Sequence, residues 1–457
     1  MTEPVLPRKD ILEEYLARTP TSKKLYEEAK DLIPGGVGSG FRFFAPYPFF
    51  IKKAKGSRMW DVDGNEYIDY LMAYGPLVGG HANPIILEAL REQMEIGTMY
   101  TMPHEKTIEL LRELKRRYPM MGMFRLTNSG TESTMHAIRL ARGYTGKDKI
   151  IKIEGAYHGA HDYVLVSVYP PLGKVGPITA PTSVPQGEEI PKDVVKNTII
   201  VPYNNTEVLE RTLKKYEGEI AALIIEPVLL NNAGVVLPKE GYLRDVRKLT
   251  EEYNVLLIFD EVKTGVRLAP GGAAEYYKIE PDIVTLAKAI GGGVPLGAFG
   301  AKREIMESVF PLGHTAHAGT YNANPLAVAA GIATLKKILS NQAYVHMKAR
   351  HEELVKGLKD HLEDSGIEGF ISEICPVGYI FFAAKDRKVD EVYDYRSALL
   401  YSDFQKTLDF WFSMINRGVI IWAPCQWEQW NITVARTKED IEKTVELAGE
   451  ALNKIKE

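Results

Sequence analysis

The chain has 457 residues, 45% of them hydrophobic and 25% charged, with a net charge of −4. That length exceeds one simple core and suits two or three domains, or one large domain with an appendage, and the charge implies no basic face, which argues against a nucleic-acid partner. The two cysteines, Cys375 and Cys425, lie too far apart to frame a metal site or a disulfide scaffold, so a reducing compartment fits and no metal is expected.

The first ten residues, MTEPVLPRKD, carry no signal-peptide pattern, and no apolar run approaches the ~20 residues needed to span a bilayer. The expectation is a cytoplasmic protein with no membrane contact. Residues 10–32 read as one amphipathic helix, with Ile11, Leu12, Tyr15, Leu16, Leu25, Tyr26 and Ala29 on apolar positions, stopped by Pro34-Gly35-Gly36. A glycine-rich loop, GGVGSGFRFF, leads into FFIKKAKGSRMWDVDGNEYIDY, a small meander turning at Asp63-Gly64.

From about residue 80, helical stretches alternate with short apolar strand candidates at 124–126, 150–153, 222–225, 255–259 and 283–286. Apolar strands separated by helices predict a mostly parallel sheet buried on both faces. Near residue 335 the alternation ends. A charged helix (340–365), a strand near 379–382 and a closing helix with Thr437 as N-cap and Asp440 three residues on complete the chain. The expected architecture is α/β. Residues 1–75 and 336–457 build a small α+β domain from both chain ends, and residues 76–335 form a large domain.

Ligands of α/β sheets sit at the carboxyl ends of strands. There the sequence places Ser129-Gly130-Thr131, Tyr157-His158, Asn231, Asp260-Glu261 and Lys288. Ser129 and Glu132 form a capping-box pattern, and a helix N-terminus with a close-approach glycine suits a phosphate. Each feature alone has a plainer reading. SGTES also suits an ordinary capped helix, Asp260 could pair with Arg267, and Lys288 could snorkel to the surface. Tyr157 could be core, and His158 a satisfied loop histidine. Together they describe an enclosed lysine able to form a Schiff base, an acid for a pyridine nitrogen, a phosphate cradle and a covering ring, which is a pyridoxal 5′-phosphate site.

NSGTES, AYHG, IIEPV, LLIFDEVKTGVR, PDIVTLAKAIGGGVPLGAFG and HAGTYNANPLAVAAG resemble the class III, fold type I aminotransferases from about residue 30 to the C-terminus. The resemblance implies that Lys288 is the Schiff-base and proton-shuttling lysine and Asp260 the pyridinium partner. It implies that Val262 packs behind the ring, Tyr157 stacks in front and His158 lies at the cofactor. It further implies that Ser129, Gly130 and Thr131 hold the phosphate, that Asn231 contacts the phenolic oxygen, and that Thr320 reaches the phosphate of a neighbouring subunit in a homodimer.

Within the family, DVDGNEYIDY, LARGYTGKDKIIKIEGAYHGAHD and PCQWEQWNIT are similar to glutamate-1-semialdehyde aminomutases. That comparison puts Arg42 where a substrate carboxylate is held and Glu428 where a substrate amine is held. Three segments depart from it: VGSGFRFF stands for VNSPVRAF, LVSVYPPLGKVGPITAPTS for a glycine-rich lid, and AGTYNANP for AGTLSGNP, nearer to β-amino-acid aminotransferases. Phe41, Phe43, Phe44, Trp427 and Trp430 are expected to add bulk to the pocket, favouring apolar substrates, although each also suits core packing. The expected activity is a transaminase acting on a β-amino acid or hydrophobic amine with an oxo-acid acceptor. The aminomutase is the alternative, and an amino-acid racemase stands third.

Overall fold

The computed structural model describes residues 5–387, 391–423 and 427–456; Cys425 and the PCQ of PCQWEQWNIT lie outside them. Three strands near the N-terminus, β1 (Ile51–Lys55), β2 (Arg58–Asp61) and β3 (Glu66–Asp69), form the antiparallel meander. The turn between β2 and β3 carries Gly64 at φ +93°. Seven strands come next: β4 (Met123–Thr127), β5 (Lys149–Ile153), β6 (Thr198–Val201), β7 (Ile220–Ile225), β8 (Leu256–Asp260), β9 (Ile283–Leu286) and β10 (Gly297–Ala301). They make one sheet in the order β4-β10-β9-β8-β7-β5-β6. Only β10 runs against its neighbours, β4 and β9; the pairings among the other strands are parallel.

The central strands are buried throughout, including all six residues of β7 and all four of β9. Each Ile, Leu or Val so placed contributes roughly 1.5–3 kcal/mol relative to exposure. The last four strands are β11 (Gly369–Ile374), β12 (Val377–Phe382), β13 (Val419–Ile420) and β14 (Trp430–Asn431). β13 pairs in parallel with β3, so the two ends of the chain share a sheet.

The single helix expected over 10–32 is two helices, Lys9–Arg18 and Pro20–Lys30. Pro20 lacks an N–H and takes the first position of the second helix, which forces the break at Thr19. The charged helix spans Asn341–Ser365. In the closing helix Thr437 and Asp440 cap reciprocally, Asp440 N–H donating to Thr437 Oγ1 at 3.0 Å and Thr437 N–H to Asp440 Oδ2 at 3.2 Å. Among the described residues no helix is long and apolar enough to cross a membrane.

Candidate active site

The carboxyl ends of β4, β5, β7, β8 and β9 converge on a cavity of about 370 Å³. Its wall includes Ser129, Gly130, Thr131, Tyr157, His158, Asn231, Asp260, Val262 and Lys288. Lys288 and Asp260, 28 positions apart in sequence, therefore face one chamber.

Each side chain is held by its element. Ser129 caps the helix Gly130–Thr145, its hydroxyl accepting from Glu132 N–H at 3.1 Å. Glu132 reaches one residue beyond the expected reciprocal partner and accepts from Asn128 N–H at 2.7 Å. A Cβ on Gly130 would sit 2.9 Å from Val262 Cγ1, and one on Gly159 (φ +105°) 2.7 Å from Thr131 Cα. These contacts press the turn after β8 and the loop after β5 onto the helix N-terminus, whose N–H groups favour an anion.

Asp260 is fixed from three sides. His158 Nδ1 lies 2.7 Å from Oδ2, while Thr285 Oγ1 (3.1 Å) and Val262 N–H (3.0 Å) donate to Oδ1. Burial lowers the proton affinity of His158 while the Asp260 carboxylate pulls the other way, and facing that carboxylate Nδ1 is the nitrogen that carries a proton. Its buried Nε2 has no partner among the described residues. The pairing of Asp260 with Arg267 that the sequence left open does not form. Arg267 instead donates to Asn431 Oδ1 at 2.9 Å and to the Gly75 carbonyl.

Lys288 follows β9 in the left-handed region, at φ +46°, and its Nζ donates to the Tyr74 carbonyl at 3.1 Å. Burial, reinforced by the nearby Lys263 and Arg267 cations, pushes its ammonium down to about 8. An amine released near neutrality is a nucleophile and a proton carrier. Tyr157 meets Phe41 edge-on, with ring centroids 5.3 Å apart. Asn231 Nδ2 donates to Glu226 Oε2 at 2.7 Å.

Three expected residues lie off this wall. Arg42 is exposed and lines a second, adjoining cavity of about 470 Å³. Glu428 is buried against Lys263, Nζ to Oε2 2.5 Å. Thr320 is exposed. The bulk expected of Trp427 and Trp430 is core packing. Trp430 is fully buried in β14, and Trp427 stacks on Tyr379 with centroids 6.0 Å apart. Neither lines either cavity. Phe43 and Phe44 do line the second, and Phe41 borders both.

Glu226, Lys263 and Asn128 also line the Lys288 cavity, and sequence reasoning missed them. Glu226 was legible, because it follows the carboxyl end of β7 as Lys288 follows that of β9. Tyr74 carried no sequence signal. It lies in a turn whose Met72, Ala73 and Tyr74 all have positive φ (48°, 55° and 65°).

The family model for aminotransferase class-III matches residues 44–422. The chain belongs to the class-III aminotransferases. Over 431 residues this aminotransferase is 46% identical to the glutamate-1-semialdehyde 2,1-aminomutase of Archaeoglobus fulgidus, covering 94% of the chain and 99% of the relative. Its fold matches an omega-transaminase from Sphaerobacter thermophilus at TM-score 0.90 and 30% identity, over 97% of this chain and 100% of the other. It also matches a transaminase with PLP bound at TM-score 0.86 and 28% identity, over 96% and 98% of the two chains. Pyridoxal phosphate is the cofactor of this class-III enzyme. The residues present fit it: an anion-ready helix end with glycine-tight contacts, an acid with fixed oxygens, and a lowered-pKa amine share one chamber.

Proposed function

We propose that the protein is a transaminase taking its amino group from a β-amino acid or hydrophobic amine and passing it to an oxo-acid acceptor in two half-reactions at one site. The observation that carries this reading is the second cavity. Phe41, Phe43, Phe44, Phe49, Trp411 and Trp422 wall it, and Arg42 is its one charged lining residue among those described. Of these, Phe41 and Phe43 depart from the aminomutase pattern, standing for its valine and alanine, while Arg42 and Phe44 keep it. A chamber of this kind suits an apolar arm ending in a carboxylate.

When bound, pyridoxal phosphate supplies an electrophilic aldehyde and an electron-accepting ring. Ser129, Gly130 and Thr131 would hold its phosphate, Asp260 its ring nitrogen, Val262 and Tyr157 its two faces and Asn231 its phenolic oxygen. Lys288 Nζ accepts a proton from the substrate carbon and returns it, which a pKa of about 8 permits near neutral pH. Arg42 orients the substrate carboxylate, and Glu428, expected at a substrate amine, holds the Lys263 ammonium instead. The working molecule is a cytoplasmic homodimer in which Thr320 of each subunit completes its partner's phosphate site.

The aminomutase is the second reading, favoured by the near-full-length match to the Archaeoglobus fulgidus enzyme. By relatives' names alone it ranks above the transaminase. One assay separates them: apolar β-amino acids and arylalkylamines offered with pyruvate or 2-oxoglutarate, beside glutamate-1-semialdehyde with no acceptor. Acceptor-dependent turnover of the apolar donors is expected. Isomerisation of the semialdehyde alone, with no turnover of the donors, would replace the transaminase with the aminomutase.

A further inference from the structure

Lys263 is a buried cation with no task in the transaminase chemistry. It lies three residues after Asp260, lines the Lys288 cavity, and is enclosed together with Glu428, the two side chains being 9% and 7% exposed. Its Nζ donates to Glu428 Oε2 at 2.5 Å and to Gln429 Oε1 at 3.0 Å, with the Leu230 carbonyl at 3.5 Å. Gln429 is fixed in turn, its amide donating to the Gly234 carbonyl at 2.9 Å and the Trp427 carbonyl at 3.2 Å. An ammonium has three donors, and here all three have an acceptor within reach. The position is built for a cation and is filled by the protein's own.

We propose that Lys263 is a specificity-determining residue: its ammonium takes the place beside Glu428 that a second amino group of a substrate would occupy, so the site accepts amines with one basic nitrogen and rejects diamines. This rests on the transaminase reading and narrows its substrates. The charged groups acting on Lys288 are Lys263 and Arg267, both cationic, and Glu226 and Glu428; Asp260, on the same cavity wall, is held by His158, Thr285 and the Val262 N–H. Glu428 is committed to Lys263. Glu226 already accepts from Tyr157 N–H (3.3 Å), Leu230 N–H (3.2 Å) and Asn231 Nδ2 (2.7 Å). Burial beside Asp260 pushes its carboxyl up to about 8, which weakens its pull on a cation near neutral pH. A second substrate ammonium would therefore meet two cations and no free carboxylate, an arrangement that opposes binding strongly in a buried site.

The same ammonium faces Lys288, which supplies a readout that a purely structural lysine would not move. The holoenzyme and its Lys263→Met, Lys263→Gln and Lys263→Arg forms would be assayed with pentylamine and 1,5-diaminopentane, pyruvate being the acceptor. The pH midpoint of the holoenzyme's visible absorption and the pH dependence of Lys288 reductive methylation in cofactor-free protein would be followed alongside. Wild type should prefer the monoamine. In Lys263→Met and Lys263→Gln the kcat/KM ratio should swing toward the diamine by about tenfold or more, as removal of a buried like charge requires, and both pH midpoints should rise. Lys263→Arg, which keeps the cation, should retain the preference. A wild-type enzyme that takes both amines equally overturns the proposal with no variant needed. So does a folded Lys263→Met with unchanged ratio and midpoints. If no donor turns over with any acceptor, the transaminase reading fails instead, and the pH midpoints still test the action of Lys263 on Lys288.

Discussion

At Lys288 φ is +46°, a region that residues with a Cβ enter at a cost of about 1–2 kcal/mol. The ammonium is also pushed down from 10.5 to about 8. The unfolded chain holds this proton up to about 10.5 while the folded site releases it near 8. The unfolded state therefore binds more protons across that window, and stability rises with pH through it. The penalty is fully present below pH 8, and water in the cavity moderates it. Lys288→Met should thus unfold at higher denaturant than wild type at pH 7, by about 1–3 kcal/mol in cofactor-free protein, the gap closing toward pH 10. Urea titrations at the two pH values check this; an equal gap at both would show that burial is not what holds the lysine's proton affinity down. Lys288→Ala should abolish turnover while still binding cofactor that borohydride no longer fixes to the protein, and full activity in that variant would refute the assignment. At Asp260, Thr285→Val removes one of three hydrogen bonds to the carboxylate and leaves His158 and the Val262 N–H. A loss of about 0.5–1.5 kcal/mol in stability is expected, with a lower kcat and an unchanged fold.

Strand ends explain why much of this site was legible. A buried parallel strand shows as a short apolar run, and 283–286 is β9 residue for residue because every side chain in it is buried. The residues just past the carboxyl end of such a run line the site, so Asp260, Lys288, Tyr157 and Ser129 could be read without coordinates. β10 escaped because its sequence, GAFGA, has no apolar run, and its glycines serve close packing: a Cβ on Gly300 would enter the Phe124 ring on β4. The left-handed turn at 72–74 escaped because nothing in Met-Ala-Tyr signals positive φ; long-range contacts impose it. Tyr74 donates its hydroxyl to the Phe41 carbonyl and accepts from Lys288, tying the loop that carries Arg42 to the lysine. Glycine in ordinary backbone costs about 0.5–1 kcal/mol relative to alanine. At Ala73, φ +55°, the relief of strain offsets that cost, so Ala73→Gly should keep or raise the melting temperature. A drop of several degrees would mean that the turn is not strained.

At the level of the whole molecule, one surface property bears on function. Thr320 is exposed and absent from its own chain's cavity. Apolar side chains lie open nearby in sequence, Tyr321 at 66%, Leu312 at 69% and Phe310 at 65% exposure. Such residues suit burial against a second copy, and most homo-oligomers pair through a two-fold axis. If Thr320 serves the partner's phosphate site, two crippled chains should repair each other. Lys288→Ala lacks the amine, and Thr320→Asp sets a negative charge against the phosphate. A mixed dimer then has one site with neither defect, formed by Lys288 of the Thr320→Asp chain and Thr320 of the Lys288→Ala chain. After co-refolding in equal amounts, half the dimers are mixed and one site in two is intact in each, so about a quarter of wild-type activity should return. Sedimentation would verify that each variant still dimerises. If Thr320 acts within its own chain, each mixed dimer holds one site lacking the lysine and one carrying the aspartate. The mixture would then show only the average of the two parents, and the shared-site arrangement would be wrong.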